Sequence, residues 1–167
     1  MIALKITDIG TFINKLLKEG MCDHFLLQEA VITQAATFTI DGSLQADYFD
    51  SEETENLQLQ DLSYVPFSLM RPHCLKLMQG TKTPLYFKFV FLLSPANQLN
   101  TVERAGTSFL PEDVSGMYLH FPSKNETLTC TTGISYRKFS LDKTLDQEWD
   151  RLVPVFLRKN GIAAEPV

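Results

Sequence analysis

IALKIT (residues 2–7), DIGTFINKLLKEG (8–20) and HFLLQEAVIT (24–33) read as a short strand, a helix closing at glycine, and a long apolar strand. Further on, LSYVPFS (62–68), LMRPHCLKLMQG (69–80) and PLYFKFVFLL (84–93) run in the same order, with Gly20 and Gly80 at matching places. The period of the apolar residues switches between that of a strand and that of a helix twice, which predicts two β-α-β units. The expected fold is α+β: duplicated β-α-β-β-β units over 1–60 and 61–139 forming a largely antiparallel sheet. A C-terminal helix over about 142–160 follows, the whole of 1–167 making one domain.

The first helix is the better defined. Ile9, Phe12, Ile13, Leu16 and Leu17 fall on one stripe at helical spacing. Asp8 or Thr7 can cap its start, and Gly20 suits the position after its end. Lys15 and Lys18 lie off the stripe, near the end where the helix dipole favours cations. In the next strand Phe38 and Ile40 alternate with Thr37 and Thr39, and Asp41-Gly42 predicts a hairpin turn from which SLQADYF (43–49) returns as a strand. DSEETENLQ (50–58) reads as an acidic linker between the copies.

In the second copy, Pro72 disfavours a helical Arg71, so the helix is expected to begin at the proline, with Gly80 to Pro84 as a turn. Residues 94–115 show little pattern beyond a short helical turn near 98–104 and read as a long loop. MYLHF (117–121), TLTCTT (127–132) and ISYRKF (134–139) resume the strands. The last helix carries Leu145, Trp149, Leu152, Phe156 and Leu157 as its buried stripe, with Pro154 expected to kink or split it.

Composition bounds the function. The chain has 167 residues, 44% hydrophobic and 21% charged, and twelve phenylalanines for its core. Its net charge of −5 is uneven: residues 1–60 hold three lysines against ten acids, a net −7, and residues 61–167 hold twelve bases against ten acids, a net +2. Strong acidity overall disfavours a polyanionic partner, while the asymmetry leaves room for a local basic face. Cys22, Cys74 and Cys130 are odd in number and widely spaced, which fits a reducing cytoplasm and no disulfide framework. MIALKITDIG has no basic, apolar and cleavage regions in series and is not expected to be a secretory signal, so the sequon at Asn125 is taken as silent. No apolar run approaches the roughly 18 residues of a membrane span.

Chemistry-bearing motifs are missing. Neither a dinucleotide fingerprint nor a complete phosphate loop nor a nucleophile elbow occurs. GTKT (80–83) lacks the leading glycines of a phosphate loop and reads as a turn. His24, His73 and His120 are isolated, and His73 and Cys74 on a helix point about 100° apart, poorly placed to share a metal. No catalytic residue, metal site or cofactor is expected. The basic residues Lys15, Lys18, Arg71, Lys76 and Lys82 on or beside the two helices are the candidate contacts to a nucleic acid or protein partner. Thr131-Thr132-Gly133 and the pair Arg137-Lys138 are lesser candidates.

FTIDG (38–42), MRPHCLKLMQGTKTPLYFK (70–88), TCTTGISYRKF (129–139) and LDQEWDRLVPVFLRKNGI (145–162) resemble a family of uncharacterised proteins from clostridia and related Firmicutes. That resemblance implies no activity and carries over no site. The duplicated units also resemble the domains of DNA sliding clamps at the level of fold. The resemblance implies helices lining an inner face with basic residues and an oligomer to close a ring, although the C-terminal helix is an addition to that pattern. Fold likeness alone licenses no function.

Three functions are therefore carried forward. The first is a non-enzymatic, clamp-like binding module for a nucleic-acid-associated or protein partner, cytoplasmic, without a membrane role, and able to oligomerise. The second is a helix-grip binder of a small hydrophobic ligand, which predicts a cavity of several hundred cubic ångströms under Trp149 and Phe156. The third is an enzyme, which requires a cleft with two titratable groups of displaced pKa.

Overall fold

The computed structural model describes residues 1–80 and 82–167; Thr81, within the expected turn at 80–84, lies outside the described residues. In chain order the elements are β1 (Ala3–Ile6), α1 (Ile9–Leu17), β2 (Leu26–Thr33), β3 (Thr37–Asp41), α2 (Ser51–Asn56) and β4 (Val65–Pro66). There follow α3 (Phe67–Met78), β5 (Tyr86–Leu92), α4 (Pro95–Ala105), β6 (Val114–Lys124), β7 (Thr127–Tyr136), α5 (Thr144–Lys159) and β8 (Ala164–Pro166). All eight strands join one antiparallel sheet in the order β3-β2-β5-β6-β7-β1-β8, with β4 paired to the start of β2. The fold is α+β, with the expected antiparallel sheet and C-terminal helix.

Register decides which face is core. Leu27, Ala30 and Ile32 of β2 lie opposite Phe91, Phe89 and Phe87 of β5, and Phe89 and Phe91 lie opposite Phe121 and Leu119 of β6. All are buried. Three helices cover this face. Phe12 of α1 meets Phe121 at 4.9 Å between ring centroids, Phe67 of α3 meets Phe91 at 4.9 Å, and Phe156 of α5 meets Phe25 at 5.4 Å. Edge-on and tilted aromatic contacts of this kind add to the area they bury. On the opposite face Lys88 of β5 pairs with Glu29 of β2 at 3.1 Å.

The second half runs β4-α3-β5, is interrupted by α4, and resumes with β6-β7, whereas the first half runs β1-α1-β2-β3 and then departs, so neither half is the expected β-α-β-β-β unit. SLQADYF does not return as a strand; only a three-residue helical turn, Ala46–Tyr48, lies there. Asp41-Gly42 is likewise no hairpin. The turn between β2 and β3 is at 34–36, closed by the Gln34 amide on the Ala36 carbonyl. Gly42 instead crosses the β2 backbone so closely that a Cβ would lie 1.8 Å from the Leu27 oxygen. Glycine is required there for close approach and not for a turn.

The acidic linker is partly helix α2, held by a capping box in which Asp50 and Glu53 satisfy each other's amides. The α3 helix begins at Phe67, five residues before Pro72, which sits inside it. Fully buried Phe67 anchors the first turn under Phe89 and Phe91, and that packing overrides the local preference of the residue before a proline. The stretch 94–115 holds the helix α4, capped by Ser94 and ended by Gly106 at φ 68°. The α5 helix runs unbroken through Pro154.

Candidate functional site

Helix α5 is built on two adjacent stripes. Leu145, Trp149, Val153 and Leu157 recur every fourth residue and are buried on the sheet. The neighbouring stripe, Glu148, Arg151, Leu152, Val155 and Lys159, turns toward α4. From α4, Asn97, Asn100, Thr101 and Arg104 share one face and meet it. Between these stripes lies a half-open cleft of about 650 Å³. Its apolar floor is Phe25, Leu93, Leu119, Trp149 and Phe156, and its rim is polar, with Arg104, Arg151 and Lys159 set against Glu148. Trp149 is fixed by burial and by its indole N–H, which donates to the Tyr118 carbonyl at 3.0 Å. Its size and its place beside Trp149 and Phe156 match the cavity expected of a helix-grip binder, but it is a half-open cleft shared with α4 and not an apolar cavity enclosed under α5.

The rim charges are unequal in what they can do. Arg151 donates to Glu148 at 2.6 Å, and that hydrogen bond holds the Glu148 carboxyl below its ordinary range. Glu148 is thereby an ion-pair partner and not a proton donor at neutral pH. Arg104 and Lys159 have no ion-pair partner among the described residues and sit in the last turns of their helices. A cleft with an apolar floor and two unpaired cations fits an amphipathic molecule with an anionic end.

The predicted contacts do not gather into one site. Arg71 turns inward: its Nε donates to Asp23 at 2.8 Å and its Nη1 to the Leu17 carbonyl at 3.2 Å, tying α3 to the end of α1. Lys15 pairs with Glu19 one turn on, at 3.3 Å. Lys18, Lys76 and Lys82 are exposed. Thr132 is buried, with its hydroxyl donating to Asp150, so it holds α5 to β7. Lys138 pairs with Asp113 at 3.2 Å, and Arg137 donates to the Glu112 carbonyl at 2.9 Å.

All three cysteines are free and buried. Burial pushes the thiols of Cys74 and Cys130 up to about 12 and raises that of Cys22 as well, so they are protonated packing groups. His120 on the outer sheet face is pushed down, first by burial and then by Lys88. Among the described residues, no group of three or more His, Cys, Asp or Glu side chains is placed to hold a metal ion. No helix among them is long and apolar enough to cross a membrane.

Asn97, Asn100, Thr101 and Arg104 were not foreseen, because α4 buries only Val102 and carries few apolar residues. Its signal was in its ends, Ser94-Pro95 and Gly106. No curated protein and no solved structure matches the chain. The model of a family of unknown function, DUF5721, matches residues 15–165, and the chain belongs to that family.

Proposed function

We propose that this protein is a non-enzymatic binding module whose cleft between α4 and α5 takes a small hydrophobic molecule with an anionic end. The observation that carries the reading is the pairing of the apolar floor under Trp149 and Phe156 with unpaired Arg104 and Lys159 at the rim. A cleft of about 650 Å³ lies within the range of about 300–1,000 Å³ that suits a small ligand. The three buried free thiols fit a reducing, cytoplasmic setting.

Trp149 is the only tryptophan, so its emission reports on the cleft directly. Titration with decanoate is expected to saturate a change in that emission, and decanol to bind about tenfold or more weaker because it cannot pair with the cations. Alanine at both Arg104 and Lys159 is expected to erase the preference while leaving decanol binding intact. Emission unmoved by either probe would sink the reading.

A second reading, a clamp-like module for nucleic acid or a protein partner, is favoured by one observation: α1 and α3 lie side by side over one face of the sheet. Lys18, Lys76 and Lys82 would supply the contacts, since Arg71 and Lys15 are engaged within the fold. Solution mass with and without a short DNA duplex, at low and high salt, separates the two readings. A closed oligomer or a salt-sensitive complex supports the clamp-like module, because phosphate contacts release counterions. A monomer indifferent to DNA removes it.

A further inference from the structure

The free edge of the sheet at β3 lies beside an apolar groove. In the β2–β3 ladder the Gly42 amide bonds the Gln28 carbonyl at one end and the Gln34 amide bonds the Ala36 carbonyl at the other, both at 2.9 Å. Antiparallel pairs alternate between bonded and non-bonded, so Ala30–Ile40 and Ile32–Phe38 are the bonded pairs between them. Thr37, Thr39 and Asp41 therefore turn their amides and carbonyls outward, to an edge that no other strand among the described residues pairs with. The edge is lightly protected: the strand is five residues long and its one charge, Asp41, stands at its end. Thr37-Phe38-Thr39-Ile40 contains no charge and no proline, and Phe38 is 42% exposed.

The side chains of Phe38 and Ile40 point to the helical face, since they oppose buried Ile32 and Ala30. Beside them, α3 contributes Met70, His73, Lys76 and Leu77 to a groove of about 470 Å³ that Ile40 also lines. The Gln34 side-chain amide donates to the Leu77 carbonyl and so fastens the end of α3 to the β2–β3 turn, which fixes the spacing between strand edge and helix. A strand laid along β3 would make its main-chain bonds with Thr37 and Thr39. Every second side chain of that strand would then lie over the groove.

We infer that this edge and groove bind an extended peptide segment of another protein, one that alternates apolar residues and carries an acidic residue to meet Lys76. Charge decides between a foreign segment and a second copy of this chain. The groove holds a lysine and a histidine and no carboxylate. Antiparallel pairing of two β3 edges about a twofold axis would bring the Lys76 of both copies to one seam, with no acid lining either groove. An acidic partner turns the same lysine into an attraction.

The test selects peptides from a random dodecapeptide display library on the immobilised protein and remeasures them as synthetic, fluorescein-labelled peptides by anisotropy. Selected sequences are expected to alternate apolar residues and to carry Asp or Glu. Thr39→Pro removes an outward amide without touching the β2 ladder and is expected to weaken binding at least about tenfold. Exposed Lys76→Glu, which leaves the core alone, is expected to weaken it similarly, with recovery when the acid of the peptide is changed to lysine. N-methylation of the peptide is expected to abolish binding at alternate positions only, the signature of strand pairing. Failure to enrich any peptide would overturn the inference. So would enriched peptides indifferent to Thr39→Pro, Lys76→Glu and N-methylation, or a dimer that Thr39→Pro converts to monomer.

Discussion

Replacing Trp149 tests both the core and the cleft. The side chain is 5% exposed and joins α5 to β6 through the bond from its indole to the Tyr118 carbonyl. Truncation to alanine removes a large buried ring from a place where Leu145 and Val153, one turn either side, are already packed against the sheet and cannot close the gap. Losses for buried Phe or Trp to Ala run at about 3–5 kcal/mol. For a chain of this length each kcal/mol moves the midpoint by about 2–4 °C, so Trp149→Ala should melt about 6–20 °C lower. Trp149→Phe keeps most of the packing but loses the donor and part of the ring, which should cost about 1–3 kcal/mol. Urea unfolding followed by circular dichroism measures both, because the alanine variant has no tryptophan left to report. An alanine variant within about 1 kcal/mol of wild type would refute the reasoning. It would mean that α5 adds little to the fold and that the cleft has no fixed wall. A lower urea slope in the variant would locate the fault further, showing α5 already detached in the native state.

Two other substitutions probe the scaffold. Gly42→Ala places a methyl 1.8 Å from the Leu27 backbone oxygen, where no side-chain rotation relieves it, and should cost the upper part of about 1–3 kcal/mol or more. Gly133→Ala, with open space around its Cβ, is the control and should stay within about 0.5 kcal/mol; equal urea midpoints for the two would contradict the crossing described at Gly42. At the start of α5, hydrogen bonds from Thr144 and then Ser108 hold the Asp142 carboxyl well below the usual carboxylate range. Its folded value lies under its unfolded one, so its contribution is present above about pH 4 and lost as pH falls below that. The gap in melting temperature between wild type and Asp142→Asn should therefore be constant near neutrality and close on acidification; parallel curves down to acid would show that Asp142 is not the linked group.

Local rules read from the sequence determined the elements that bury a periodic apolar face. Ile9, Phe12, Ile13, Leu16 and Leu17 mark α1, Leu145 and Trp149 mark α5, and the Phe-rich strand at 86–92 marks β5, because each repeats its apolar residues at the period of its own backbone. The aromatic helix pointed to one wall of the cleft, Trp149 and Phe156, and not to the α4 wall that faces it. What escaped was set by contacts between distant segments. Phe67 draws α3 back five residues past the boundary that Pro72 suggests, because a ring buried against Phe89 and Phe91 outweighs a local backbone preference. Gly42 serves a crossing over Leu27 where its dipeptide with Asp41 spelled a hairpin, since the sequence does not say which backbone a glycine must approach. The polar face of α4 and the pairing of Arg71 with Asp23 depend on the same kind of information. Periodicity is written in the chain; the partner of each buried face and each charge is fixed only when the sheet brings those segments together.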